Sequence, residues 1–137
     1  MLRAKWHEAS EFIPKHDVVC FTESKLDDKA TSGSFDITGY HLVRQDRNSN
    51  GGGVVIFINE DWNPIDLGDI QDKFVKRGLE VTVTSVSGST PAFKAIILGI
   101  YCPPNTKVAW FEAFNDLLLD VIPLGLLVIL GNLSASS

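Results

Sequence analysis

Apolar positions along the chain fall into two periods. Leu2, Trp6, Ala9 and Ile13 are spaced four, three and four residues apart, which marks one face of a helix that Pro14 stops. The run DVVCFT at residues 17–22 predicts a buried strand, and the polar, turn-rich residues 23–39 predict a loop. Strand-like runs at 40–45 and 53–59 flank DRNSNGG, where Asn50-Gly51 is a strong turn signal inside a connection longer than two residues. EDWNPIDLGDI predicts irregular chain. Residues 79–86 and 93–101 are rich in β-branched side chains and are joined by SGSTP, with Pro103-Pro104 ending the second run. Val108, Phe111, Asn115, Leu118 and Ile122 mark one flank of a second helix, and Phe114 and Val121 add to its apolar side. The fully apolar residues 126–130 predict a last strand of the kind that usually lies centrally and is covered on both faces, and the expectation is that something which should cover it is missing. Helix, about five strands, helix and strand make an α/β chain.

Composition narrows the picture. A length of 137 residues suits one domain or a piece of a larger one, and 45% hydrophobic with 21% charged residues supplies a core. The net charge of −5 and the pI of about 5.0 leave no basic stripe for phosphates, which counts against strong nucleic-acid binding by this chain alone. Cys20 and Cys102 lie in apolar runs without metal-ligand spacing and read as buried thiols. MLRAKWHEASEF is charged and amphipathic, unlike a signal peptide. Asp120, Pro123 and Gly125 break the apolar stretch 117–130, short of the roughly 20 residues a membrane span needs. The expectation is an intracellular chain, nuclear or cytoplasmic, with no membrane segment.

Several residues could carry chemistry. Glu23 ends a buried strand at a loop mouth, a place suited to a hard cation, although such an acid also serves as a solvated or capping group. Tyr101 leaves a strand ahead of two prolines and by itself is an amphipathic rim residue. Arg44 and Arg47 precede the glycines at 51–53, but the spacing matches neither a P-loop nor a dinucleotide fingerprint, so they read as surface arginines of a hairpin. Glu80 opens a strand and reads as structural, or at most as a group that supports a neighbouring ligand. His7, His16 and His41 read as ordinary.

Four segments in order, DVVCFTESKLDD, GYHLVRQDRNSNGGGVVIFI, LGIYCPPNT and VILGNLSA, resemble the endonuclease/exonuclease/phosphatase family, and the second is closest to its LINE-type retrotransposon branch. The resemblance implies two β-sheets packed face to face with helices outside, a DNase I-like four-layer sandwich. It also implies Mg²⁺-dependent hydrolysis of a DNA phosphodiester. In that picture Glu23 is the metal ligand, and Tyr101 and Asn105 contact the scissile phosphate and adjoining backbone. The family's Gly-Asp-Phe-Asn motif falls on Gly131, Asn132, Leu133 and Ser134. Asn132 thus stands at the catalytic aspartate position and Ser134 at the asparagine position, both degenerate. An amide cannot act as general base or supply negative charge.

The resemblance further implies that residues 1–137 form a truncated domain lacking the first strand, the second sheet and the terminal aspartate-histidine pair. The expected architecture is therefore a partial sandwich, mainly one mixed sheet with two main helices. Its exposed inner face would favour self-association and marginal stability. The leading reading is a fragment or degenerate copy of a Mg²⁺-dependent DNA-nicking endonuclease, inactive as it stands and binding DNA weakly. The alternatives are one part of an active nuclease completed by flanking chain, and a non-catalytic protein-interaction module.

Overall fold

The computed structural model describes residues 2–26, 32–47, 52–89 and 93–132. Their order is α1 (Trp6–Phe12), β1 (Val18–Thr22), β2 (Tyr40–Gln45), β3 (Val54–Asn59), β4 (Ile65–Asp66), α2 (Gly68–Val75), β5 (Glu80–Ser87), β6 (Lys94–Tyr101), α3 (Val108–Val121) and β7 (Leu126–Asn132). Short 3₁₀ turns flank α1 and follow α3.

These strands make two sheets, not one. β1-β3-β2 is an antiparallel three-stranded sheet, and β4-β5-β6-β7 is a four-stranded sheet in which only β6 and β7 run parallel. Alternation along β3 explains the packing. Val55 and Phe57 join Ala9, Ile13 and Val19 beneath α1, while Val54, Ile56 and Ile58 face Val86, Ala95 and Ile97 of the other sheet. On β6 the opposite parity, Ile96, Leu98 and Ile100, packs beneath Phe74 of α2 and Trp110, Ala113 and Leu117 of α3. Helix, sheet, sheet and helices thus form four layers, as the resemblance implies.

The one-sheet expectation is overturned, and with it the exposed inner face. The first three strands pair among themselves and cover the β5–β6 face, so the proposed basis for self-association is absent. β7 pairs with β6 alone among the described residues and leaves Leu126 and Ile129 exposed, so it is an apolar strand without full cover, as the sequence leads one to expect. The segment after β3 is not irregular: it holds β4 and α2. α2 covers β5 where β4 ends, since Val83 donates its N–H to the Gln71 side chain at 3.0 Å. The Asn50-Gly51 turn lies outside the described residues.

Cys20 and Cys102 are free thiols, the first half-buried and the second buried. Burial pushes the Cys20 thiol up to about 11 from an ordinary 9.0. The folded chain therefore holds this proton more tightly than the unfolded chain does. Its contribution to stability is full below pH 9 and is lost as pH rises through about 11. Iodoacetamide is expected to modify Cys20 in the native chain far more slowly at pH 7.5 than in urea, by mass spectrometry of the labelled peptide. Equal rates would contradict the burial.

Candidate active site

Strand register brings the candidate residues to one end of the sandwich. Glu80 on β5 pairs with Tyr101 on β6, and Tyr101 pairs with Asn132 on β7, so the three form one row across the sheet. Their parity is that of Thr82, Val86, Ala95 and Ile97, which face the other sheet. From that other sheet, the residue immediately after β1 is Glu23, with φ of 52°. The Tyr101 hydroxyl donates to Glu23 Oε1 at 3.1 Å, closing the gap between the sheets.

Tyr101 is 5% exposed, whereas Glu23 is exposed. The Tyr101 phenol is held above its ordinary 10.0. Burial is the largest cause, followed by the hydrogen bond and charge of Glu23 and the charge of Glu80, against an opposing pull from Arg47. Tyr101 is therefore a proton donor throughout the neutral range. The stability tied to it is present below pH 10 and falls as pH rises beyond, in the same direction as for Cys20.

Asn132 continues the β7 ladder: its carbonyl accepts the Cys102 N–H at 2.8 Å. Asn105 sits in the Pro103–Thr106 turn with φ of 60°, exposed, and among the described residues it makes no hydrogen bond to Glu23 or Tyr101. An asparagine tolerates that left-handed backbone better than most residues. Thr106 Oγ1 donates to the Pro103 carbonyl and fixes the turn. The Ser134 position lies outside the described residues. Two of the residues singled out from sequence, Glu23 and Tyr101, are thus in direct contact, Asn132 is the register neighbour of Tyr101, and Asn105 is exposed in the turn four residues after Tyr101.

Glu80 ties this row to the chain ahead of β3. Its Oε1 accepts the Gly53 N–H at 3.0 Å and lies 3.6 Å from Arg47 Nε. Arg44 is paired within its own strand end, 2.6 Å from Asp46. The histidines stay away from the site. His41 bonds Asp66 at 2.8 Å, His7 lies 3.4 Å from Glu11, and His16 stacks on Phe12.

No family model matches the chain, and no curated protein matches it. Among solved structures it is similar to the 3′ phosphatase NExo (D146N) from Neisseria, bound to product DNA hairpin. The TM-score is 0.64 at 16% identity, over 96% of this chain and 53% of that one. The fold is DNase I-like. This chain spans about half the length of the Neisseria enzyme chain, and at this identity the likeness is one of fold. Within the DNase I-like frame, the row Glu80, Tyr101 and Asn132 and the facing Glu23 occupy one rim of the two-sheet sandwich. No helix of the described residues is long and apolar enough to cross a membrane.

Proposed function

We propose that this chain is a DNA phosphodiester-hydrolase scaffold of the retrotransposon endonuclease type, catalytically silent as it stands. The observation that supports it is the Tyr101–Glu23 contact in register with an amide, Asn132, where the resemblance expects a carboxylate. Tyr101 offers a hydroxyl to a phosphate oxygen and Glu23 offers a carboxylate to a cation. Asn132 cannot take the proton of an attacking water.

Magnesium fits this rim in a limited sense. The ion is commonly held by one or two carboxylates and keeps several waters. Glu23 meets the lower end of that requirement, while among the described residues no group of three or more histidine, cysteine, aspartate or glutamate side chains could cage a metal. Glu23 would hold the ion, and a bound ion would supply charge stabilisation at the phosphate. Tyr101 has one hydroxyl proton, which it gives to the Glu23 carboxylate here and would give to a phosphate oxygen once the cation takes that carboxylate.

A second reading, in which further polypeptide completes a working site, is favoured by the 53% coverage of the Neisseria enzyme. Both readings predict DNA binding centred on Glu23. Fluorescence anisotropy with a labelled DNA hairpin is expected to show weak binding, with dissociation constants of roughly 10⁻⁴ M and a shallow salt dependence, because the chain has little positive charge to release counterions. Mg²⁺ is expected to strengthen it and Glu23→Ala to remove the Mg²⁺ effect. Binding indifferent to both would place DNA elsewhere or nowhere on this surface.

A further inference from the structure

Glu23 and Lys25 both adopt left-handed backbone, with φ of 52° and 56°. Such a conformation costs a non-glycine residue of order 1–3 kcal/mol and persists only where the surroundings hold it. Two backbone hydrogen bonds do so. The Lys25 N–H donates to the Gly52 carbonyl at 3.0 Å, and the Ser24 N–H to the Gly53 carbonyl at 3.5 Å. The glycine pair is itself in left-handed conformation, with φ of 70° and 97°.

What anchors the pair is Glu80. Its side chain is 13% exposed, with Oε1 on the Gly53 N–H at 3.0 Å and Arg47 Nε at 3.6 Å. The approach is too close for any side chain. A Cβ on Gly52 would fall 2.2 Å from Glu80 Oε1 and 2.4 Å from Arg47 Nε, and one on Gly53 would fall 2.5 Å from Ser24 Oγ. Ser24 Oγ is buried without a hydrogen-bond partner, so this hydroxyl contributes packing and not bonding to the turn.

We propose that Glu80 is a positioning residue for Glu23: through the Gly52–Gly53 backbone it holds the Ser24–Lys25 turn that aims the Glu23 carboxylate at Tyr101. The carboxylate of one sheet thereby sets the geometry of the carboxylate on the other. Placing the clamp in a catalytic frame rests on the reading of Glu23 as the cation-holding group.

The test uses the full chain with Glu80→Ala, Glu80→Gln and Glu23→Gln. It reads Lys25 amide exchange by NMR, Mn²⁺ affinity by EPR of the free ion, and the melting midpoint. Glu80→Ala is expected to speed Lys25 exchange while strand amides such as those of Ile56 and Leu98 stay protected. It is also expected to weaken Mn²⁺ binding about 10-fold or more, the usual cost of losing a partner that orients a ligand. Glu80→Gln keeps an oxygen for the Gly53 N–H and is expected to restore Lys25 protection and most of the affinity. Lys25 exchange at the wild-type rate in Glu80→Ala overturns the clamp, as does faster exchange spread evenly over all strands. If wild type holds Mn²⁺ no better than Glu23→Gln, the cation reading fails separately, and the Lys25 amide still decides the clamp.

Discussion

Replacing Phe57 by alanine is expected to lower the unfolding free energy by about 3–5 kcal/mol, the range for removing a large aromatic side chain from a packed core. Phe57 is fully buried at the centre of β3, with its ring 5.8 Å from Trp6 and 6.1 Å from Phe21. It joins α1 to the sheet that carries Glu23, and the strands on either side fix its backbone, which restricts collapse of the cavity. A chain of this size has a total stability of roughly 7–20 kcal/mol at the usual range per residue, so the loss would take a large share of it. Urea unfolding followed by tryptophan fluorescence measures it. A loss under about 1 kcal/mol would mean that Phe57 is not packed as described.

Gly131→Ala is expected to cost about 3 kcal/mol or more and to disturb the site as well as the core. Gly131 has φ of 127°, and a Cβ there would fall 2.0 Å from the Ile100 carbonyl oxygen. That atom is backbone of the paired strand, so no rotamer change relieves the clash. β7 must move away from β6 at the level of Tyr101 and Asn132, breaking the bond from the Cys102 N–H to the Asn132 carbonyl. The expected result is a lower melting midpoint with loss of protection at the Cys102 amide. Retention of both would place β7 differently from its described register.

Much of the architecture was legible in the sequence because local periodicity and burial agree. The spacing of Leu2, Ala9 and Ile13 marks the buried side of the first helical segment, and VVIFI of β3 is apolar at every position because its two faces meet two different layers. The division into two sheets was not legible. Pairing of β1 and β2 to β3 is long-range, and no spacing within the strands states it. α2 went unread because Pro64 and Gly68 punctuate the segment, although Leu67, Ile70 and Phe74 fall at helical spacing against the core. β7 was legible as an apolar strand short of its cover, and among the described residues it is an edge strand with Leu126 and Ile129 in solvent.

For the site, Glu23 and Tyr101 were found through the motifs that carry the family resemblance, and the structure joins them 78 positions apart in sequence. Asn105 was singled out on the same grounds, and it is exposed in the turn that follows β6. Glu80 read as structural or at most supporting. Its signal is the partnership with the glycines at 52 and 53, which appears only when β3 and β5 are placed face to face.

The measurement that bears most directly on the account is nicking of supercoiled plasmid by the purified chain, with Mg²⁺ and with EDTA, beside Glu23→Ala and Asn132→Asp. No open-circle product from wild type above the EDTA control is expected, because Glu23 is assigned to the cation and Glu80 is engaged by the Gly53 N–H and Arg47, which leaves the amide of Asn132 where the missing aspartate would take a proton from water. Asn132→Asp stays inert if further groups are also needed, and gains Mg²⁺-dependent nicking if the amide is the sole defect. Nicking by wild type that requires Mg²⁺ and vanishes in Glu23→Ala would contradict the claim of a silent site.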